Sequence, residues 1–381
     1  MSSDQLPPID RMQGPWNVLR GVLQLASLKL ALALIGIFLF FVVAIGVQEA
    51  FKVHASNESV LAELEKAGVP EADRMRDPRL ASPLRRGLEA SRRFLGRRNL
   101  ETIARQTTLV GVPALGMTLV IISGGIDLSV GSVVALGTVV IAWLLKHGGM
   151  GPVSAALSGV TAGALVGLVS GLLITSLRVV PFIVTLGMML IVRGVAKGIA
   201  RQQTITVDPQ GLDWLLASVP PKQGWMLLPL GVWAWLILAV ATAALLRYTR
   251  LGRHTFAIGS NEQTARLCGV PVERVKVLVF MLGGAFAGLG GLMQFSRLTI
   301  GDPTVAAGRE LEVIAAVVIG GGSLAGGEGS ILGTMVGALI MGVIASGCNQ
   351  MGLPNWVQEI ITGAIIVAAV AIDRLRHRRA A

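Results

Sequence analysis

The chain has 381 residues, of which 53% are hydrophobic and only 14% are charged, and its formal net charge is +11. Soluble proteins carry about 25% charged residues, so this composition excludes an ordinary soluble protein and indicates a polytopic membrane protein. On such a chain the positive charge is more typical of basic loops at membrane surfaces than of nucleic-acid binding, and no nucleic-acid partner is expected.

Apolar runs that are long enough to cross a bilayer recur along the chain. A crossing takes roughly 20 residues, and the runs predict an all-α polytopic membrane protein with about ten transmembrane helices. They lie near residues 28–48, 102–122, 129–146, 152–177, 181–200, 226–246, 277–297, 307–321, 329–347 and 354–372. The fifth run contains Arg193 and Lys197, and the short eighth run begins with Glu310 and Glu312, so these two are the least regular.

Lysine and arginine in the short loops predict the orientation, because cytoplasmic loops carry an excess of both. Loop 247–276 and the C-terminal tail are rich in arginine and are separated by four predicted spans, which places both of them, and the N-terminus, in the cytoplasm. The N-terminus lacks the regions of a signal peptide, so the first run is expected to remain as a span. The predicted organisation is a cytoplasmic segment (1–27), a first span (28–48), a basic insert (49–101), a transmembrane domain (102–373) and a basic cytoplasmic tail (374–381).

The basic insert conflicts with this orientation. Residues 50–105 carry twelve Lys or Arg against eight acids, although counting spans places them outside. Leu84, Leu88 and Leu95 recur at helical spacing among arginines, so this segment either lies on a bilayer surface or forms a soluble basic helix.

Glycines repeat at every fourth position in several predicted helices. Such stripes let helix backbones approach closely in lipid, so we interpret them as packing residues. They are Gly159, Gly163, Gly167 and Gly171, then Gly284 and Gly288, and finally Gly329, Gly333 and Gly337.

The run ISGGIDLSVGS places Asp127 in a glycine- and serine-rich break between two predicted spans. A charged residue at membrane depth is costly and is usually kept away from lipid. Asp127 and Ser129 are N-cap residue types, so Asp127 either caps the third helix, or lines a path for a polar solute together with Ser129 and Ser132, or does both. Asn349 is a further candidate for this path, which is expected to be polar and uncharged. A similar run, IGGGSLAGGEGS, precedes the ninth span on the same predicted side.

The run GSNEQTARLCGVPVERVK in the loop after the sixth span predicts a short helix outside the membrane. Ser260 and Gln263 fit a capping box, Glu262 suits the positive end of the helix dipole, and Gly269 is a typical C-terminal stop. The predicted helix runs from Asn261 to Cys268.

This short helix is expected to expose Leu267 and Val270 beside Arg266. A capped helix with exposed apolar residues in a basic loop is typical of a docking site for a soluble partner, and an ordinary loop helix is the alternative. The candidate docking residues are Ser260, Asn261, Glu262, Ala265, Arg266 and Gly269.

Motifs for catalysis and metal binding are missing from the sequence. It contains no GxxxxGK[ST] phosphate loop, no HExxH and no GxSxG. Cys268 and Cys348 lie far apart without metal-ligand spacing and are expected to be free thiols. No catalytic residue, no metal site and no cofactor are therefore expected on this chain.

Three runs together resemble the permease subunits of bacterial ABC importers for ribose, xylose and related sugars. They are GMTLVIISGGIDLSVGSVVALG, AIGSNEQTARLCGVPVERVKVLVFMLGGAFAGLGGLM and ELEVIAAVVIGGGSLAGGEGSILGTMVGALIMGVI, and the resemblance covers roughly residues 100–373. The related branched-chain amino-acid permeases share the later glycine pattern but do not typically show GGIDLSVGS, which favours a sugar or cyclitol as the substrate.

The resemblance implies an ABC importer permease fold in the bacterial inner membrane, present as a homodimer. It also implies two cytoplasmic ATPase subunits, which would bind the ATP, and a periplasmic sugar-binding protein. The family's coupling segment falls on residues 259–276 here. The insert at about 51–98 departs from the family, in which a short loop is usual.

Other functions stay open at this point. A stand-alone secondary carrier would use Asp127 as an ion-coupling carboxylate and would take up its solute without an ATPase. A permease for branched-chain amino acids is the second alternative. An intramembrane enzyme is disfavoured because the sequence lacks a catalytic set.

Overall fold

The computed structural model describes residues 15–74, 77, 80, 82–217 and 228–380, and within them the chain is almost entirely helical, which confirms the predicted all-α class. The α-helices are α1 (Pro15–Lys66), α2 (Glu71–Arg74), α3 (Pro83–Leu95), α4 (Arg97–Ile122), α5 (Val130–His147), α6 (Pro152–Leu177), α7 (Pro181–Ile199), α8 (Leu230–Tyr248), α9 (Arg250–Ser260), α10 (Glu262–Leu267), α11 (Val272–Leu298), α12 (Arg309–Ile319), α13 (Ile331–Gln350) and α14 (Asn355–Ala380). Two short strands, β1 (Ile205–Thr206) and β2 (Ile300–Gly301), pair antiparallel.

Each of the ten predicted spans coincides with one of these helices. In the described part of the chain, eight helices are long and apolar enough to cross a membrane. The other two are shorter: α12 has 11 residues, and the apolar part of α14 ends at Ala368. The predicted cytoplasmic segment lies outside the described residues up to position 14, as do the first two residues of the sixth predicted span.

The helix that contains the first predicted span does not end with that span at residue 48. Helix α1 continues without a break for 52 residues, which corresponds to about 78 Å. The first part of the insert therefore extends this helix, because hydropathy marks the depth of the membrane and not the end of a helix.

The arginine-rich segment of the insert is helix α3, which packs back onto α1. Ser91 Oγ donates a hydrogen bond to the carbonyl of Val42 at 2.8 Å, and the rings of Phe94 and Phe38 lie 5.2 Å apart. Because Phe38 and Val42 belong to the apolar part of α1, helix α3 lies beside the membrane span, with its three predicted leucines exposed.

Helix α11 forms the centre of the transmembrane domain and packs against α4, α5 and α6. The glycine stripes make these contacts close: a methyl group added to Gly163 would lie 2.9 Å from Cα of Gly288. Gly159, Gly167 and Gly171 are equally crowded by α5 or α11. In the third stripe, Gly329 is crowded by α4, Gly333 by the turn after α12, and Gly337 by α12 itself.

Arg193, which made the fifth run irregular, has its charge satisfied inside the protein. Its guanidinium donates to the carbonyls of Pro303 and Val305, at 3.1 and 2.7 Å. Helix α7 is thereby fixed to the segment between β2 and α12.

Candidate functional site

The break after α4 is held together by a local turn. Asp127 is only 2% exposed, and its Oδ1 accepts the backbone N–H of Ser129 at 2.8 Å and the hydroxyl of Ser129 at 2.6 Å. Ser129 is the residue before α5 and makes no side-chain capping bond. The carboxylate binds the N–H two residues ahead, as Asp commonly does in turns. Ser129 has helical dihedrals and its carbonyl accepts the N–H of Val133, so Asp127 satisfies one N–H at the start of this helix, as the capping alternative predicted.

Three glycine-rich segments meet at this break. The N–H of Gly327 donates to the carbonyl of Ile122, the last residue of α4, at 2.9 Å. Gly259, near the end of α9, lies against both of these groups, and Gly326 lies against Gly124. We call this contact the glycine node, and it brings together the two similar runs found in the sequence.

The short helix predicted after the sixth span is present as α10, but it begins differently. Helix α9 continues to Ser260, so the N-cap is Asn261, whose Oδ1 accepts the N–H of Thr264 at 2.9 Å. The predicted capping box of Ser260 and Gln263 is therefore wrong, and the cap lies one residue later, at Asn261. Gly269 ends the segment with φ +81°, in the left-handed region where glycine is favoured.

Charged pairs fix α10 to the start of α11. Arg266 bonds Glu273 and lies 3.5 Å from Glu262, and Lys276 Nζ donates to Glu262 at 2.6 Å. The hydrogen bond that Arg266 donates to Glu273 raises the pKa of the Arg266 guanidinium above its ordinary value.

The helix α10 presents one apolar residue to solvent. The side chain of Leu267 is 89% exposed, while Ala265 on the opposite face is buried. The predicted neighbour Val270 is half-buried. The outer surface of α10 is thus an exposed leucine within a fixed set of charges, which is suited to contact with another protein.

A polar cavity of about 120 Å³ lies at the opposite end of the helices. The cavity is lined by Arg297 and Asn349, the penultimate residues of α11 and α13, and by Arg309, the first residue of α12. The other polar and charged residues that line the cavity are Gln106, Glu312, Gln358 and Thr362.

Of the four predicted path residues, only one lines the cavity. Asn349 lines it, whereas Asp127, Ser129 and Ser132 are buried and do not line it. Two arginines and one glutamate line this cavity, so its walls are charged, unlike those expected for the path. Charges next to the short eighth run were the signal that could have located it, since ionisable residues at membrane depth mark function.

Metal ligands are not grouped in the described residues: no three His, Cys, Asp or Glu side chains come together there. Cys268 is exposed and Cys348 is buried, and both are free thiols.

Comparisons with known proteins place the chain among transport permeases. The family model described as the permease component of branched-chain amino acid transport systems matches residues 99–370. The ribose import permease protein RbsC of Escherichia coli K12 is 39% identical over 285 residues, which cover 73% of this chain and 86% of that protein. RbsC of Bacillus subtilis 168 is 39% identical over 74% of this chain and 86% of its own length.

A third relative carries a different sugar in its name. The L-arabinose ABC transporter permease protein AraH of Azospirillum brasilense is 37% identical over 292 residues, covering 75% of this chain and 83% of that protein. No solved structure matches the chain. The family match begins at residue 99, in the first turn of α4, so almost all of the basic insert lies before the matched part.

Proposed function

This chain belongs to the family of permease components named above, and from that membership we propose that it is the membrane subunit of an ABC importer for a monosaccharide. The observation that carries the proposal is the set of relatives at 37–39% identity, which are permeases for ribose and arabinose. A sugar is therefore favoured over a branched-chain amino acid, and a secondary carrier is not favoured.

The proposed assembly is a homodimer of this chain in the bacterial inner membrane, with both termini in the cytoplasm. Cytoplasmic ATPase subunits would bind and hydrolyse the ATP, and a periplasmic sugar-binding protein would deliver the solute. This chain contributes the path, so it is a transport subunit and not an enzyme.

We assign ATPase coupling to α10 and its flanking residues. The exposed Leu267 and the charge pairs of Arg266 support this, because they present a rigid contact surface. The glycine node then connects this surface to the break at Asp127, since Gly259 lies only two residues before the N-cap of α10.

The proposed entrance of the path is the cavity that contains Asn349. It lies at the end of the helix bundle opposite to α10, where solute from a periplasmic binding protein would arrive. Opening and closing of the path would follow from the different affinities of ATP for the two states of the complex.

The function is tested with the complete importer in proteoliposomes. We expect uptake of a monosaccharide, for which ribose and arabinose are the first candidates, to require ATP, the ATPase subunit and the binding protein. Uptake by this chain alone, driven by an ion gradient, would contradict the proposal and restore the carrier interpretation.

Replacing Leu267 with serine is expected to weaken binding of the ATPase subunit about tenfold or more. Burial of a leucine side chain stabilises a contact by about 1.5–3 kcal/mol, and 1.4 kcal/mol corresponds to a factor of ten in affinity. Because Leu267 is 89% exposed in this chain, its loss leaves the fold intact. The measurement is the affinity of the purified permease for the ATPase.

The matched control is Leu84→Ser on α3, which removes another exposed leucine far from α10 and should leave ATPase affinity unchanged. Ala265 is a poorer probe because it is buried, and a larger side chain would distort α10 itself. Unchanged affinity in Leu267→Ser would remove α10 from the docking surface.

A further inference from the structure

The cavity at the outer ends of the helices carries more positive than negative charge. Arg297 and Arg309 line it, and Glu312 is the only acidic residue among its lining residues. In the described part of the chain, no carboxylate lies within 4.0 Å of either guanidinium. Two guanidinium groups and one carboxyl group therefore leave the walls of a small cavity with a net positive charge.

The arrangement of these charges is unfavourable without a further partner. Arg309 and Arg105 lie close enough to Arg297 to repel it, whereas Glu312 attracts Arg309. Guanidinium groups that lie together at the edge of a membrane domain are stabilised when an anion comes between them.

The remaining walls indicate what kind of anion fits. Gln106, Asn349 and Gln358 supply amides, and Thr362 supplies a hydroxyl, so several donors and acceptors surround the arginines. Amides and hydroxyls are suited to the hydroxyl groups of a sugar, while the planar guanidinium matches a carboxylate with two parallel hydrogen bonds.

We propose that the solute carried by this permease is a sugar acid, a polyhydroxylated molecule with one carboxylate that Arg309 and Arg297 receive at this cavity. The inference rests on the proposed function, because it assigns a chemical class to the solute of that path. A carboxylate would offset the net positive charge of the walls, and the volume of about 120 Å³ suits a molecule of the size of one sugar ring.

The test compares sugars that differ only at the terminal carbon. The purified complex of this chain with its ATPase is placed in nanodiscs of neutral phosphatidylcholine, and the midpoint of thermal unfolding is measured with each sugar at equal ionic strength. The pairs are galactose and galacturonate, and glucose and glucuronate. We expect at least one acid to raise the midpoint by about 2 °C or more beyond its neutral counterpart, because a ligand stabilises the state that binds it.

Arg309→Gln should abolish this advantage, and Arg201→Gln should keep it. Arg201 is an exposed arginine that does not line the cavity, so its replacement removes the same charge without touching the proposed site. The inference is overturned if no acid exceeds its neutral counterpart, or if the advantage survives in Arg309→Gln.

Anionic lipid is the other source of a negative group at this position. Nanodiscs with added phosphatidylglycerol test it: a midpoint shift that depends on Arg309 and appears with this lipid but with none of the sugar acids overturns the inference. None of these outcomes affects the proposed function, which fails only if uptake needs no ATPase. ATP-dependent uptake of neutral sugars with no advantage for acids would leave the function standing and remove the inference.

Discussion

Replacing Gly259 with alanine is expected to reduce ATP-driven uptake at least tenfold. A methyl group at this position would run into the carbonyl oxygen of Ile122 and the backbone nitrogen of Gly327. These two atoms form the 2.9 Å hydrogen bond of the glycine node, so the methyl group must separate them. Overpacking costs about 1–3 kcal/mol, and a broken buried hydrogen bond adds about 1–3 kcal/mol.

The location of Gly259 turns this local strain into a loss of coupling. Gly259 lies in the last turn of α9, and Asn261, two residues later, is the N-cap of α10. Movement of α9 away from Ile122 would therefore shift the ATPase docking helix relative to the break that contains Asp127. We expect the complex to keep hydrolysing ATP while uptake falls, because the ATPase still binds at Leu267.

Gly194→Ala is the matched control. Gly194 lies within α7, and a methyl group added to it would meet nothing within 4 Å. Alanine is favoured over glycine inside a helix by about 1 kcal/mol, so this variant should transport normally and unfold at the same or a higher temperature. Normal uptake in both variants would show that the glycine node does not transmit movement.

The number and type of the helices could be predicted from the sequence because lipid imposes a strict rule. Every backbone group inside the membrane must be hydrogen-bonded within the segment, so long apolar runs have to be helices. The same rule does not fix where a helix ends outside the membrane. Helix α1 therefore extends to Lys66, since the residues after the apolar run continue the helix in water.

The start of α10 illustrates a second limit. Ser260 and Asn261 are both suitable N-cap residues, and local sequence does not distinguish them. The choice depends on how far α9 extends, and α9 reaches Ser260 because its last turn packs into the glycine node.

The complete walls of the cavity could not be predicted, because they combine α4 with the much later helices α11 to α14. Asp127 drew attention as an isolated charge in an apolar region, yet Ser129 satisfies its carboxylate locally. Arg297 and Arg309 lie at helix ends, where basic residues are common, and only the packing of α11 and α12 around α4 and α5 brings them to one cavity.

The glycine stripes were recognisable as packing residues, but their partners were not. The stripe on α6 faces the stripe on α11, so that each backbone fits where the other lacks a side chain: a methyl group on Gly284 would lie 2.9 Å from Cα of Gly167. This reciprocity makes Gly167→Leu the substitution with the largest expected effect on folding. A side chain at Gly167 would also strike the carbonyl of Phe280 and would lie 3.0 Å from Cα of Met281, and backbone atoms cannot turn away as side chains do.

We expect Gly167→Leu to lose about 3 kcal/mol or more of stability and to accumulate poorly in the membrane. In lipid no hydrophobic force holds two helices together, so α6 and α11 depend on close van der Waals contact along their whole length. Gly187→Leu on α7 is the matched control, since a methyl group there would meet nothing within 4 Å. The measurement is the yield of monodisperse protein in detergent and its unfolding midpoint. Equal values for the two variants would mean that α6 and α11 do not pack through these glycines.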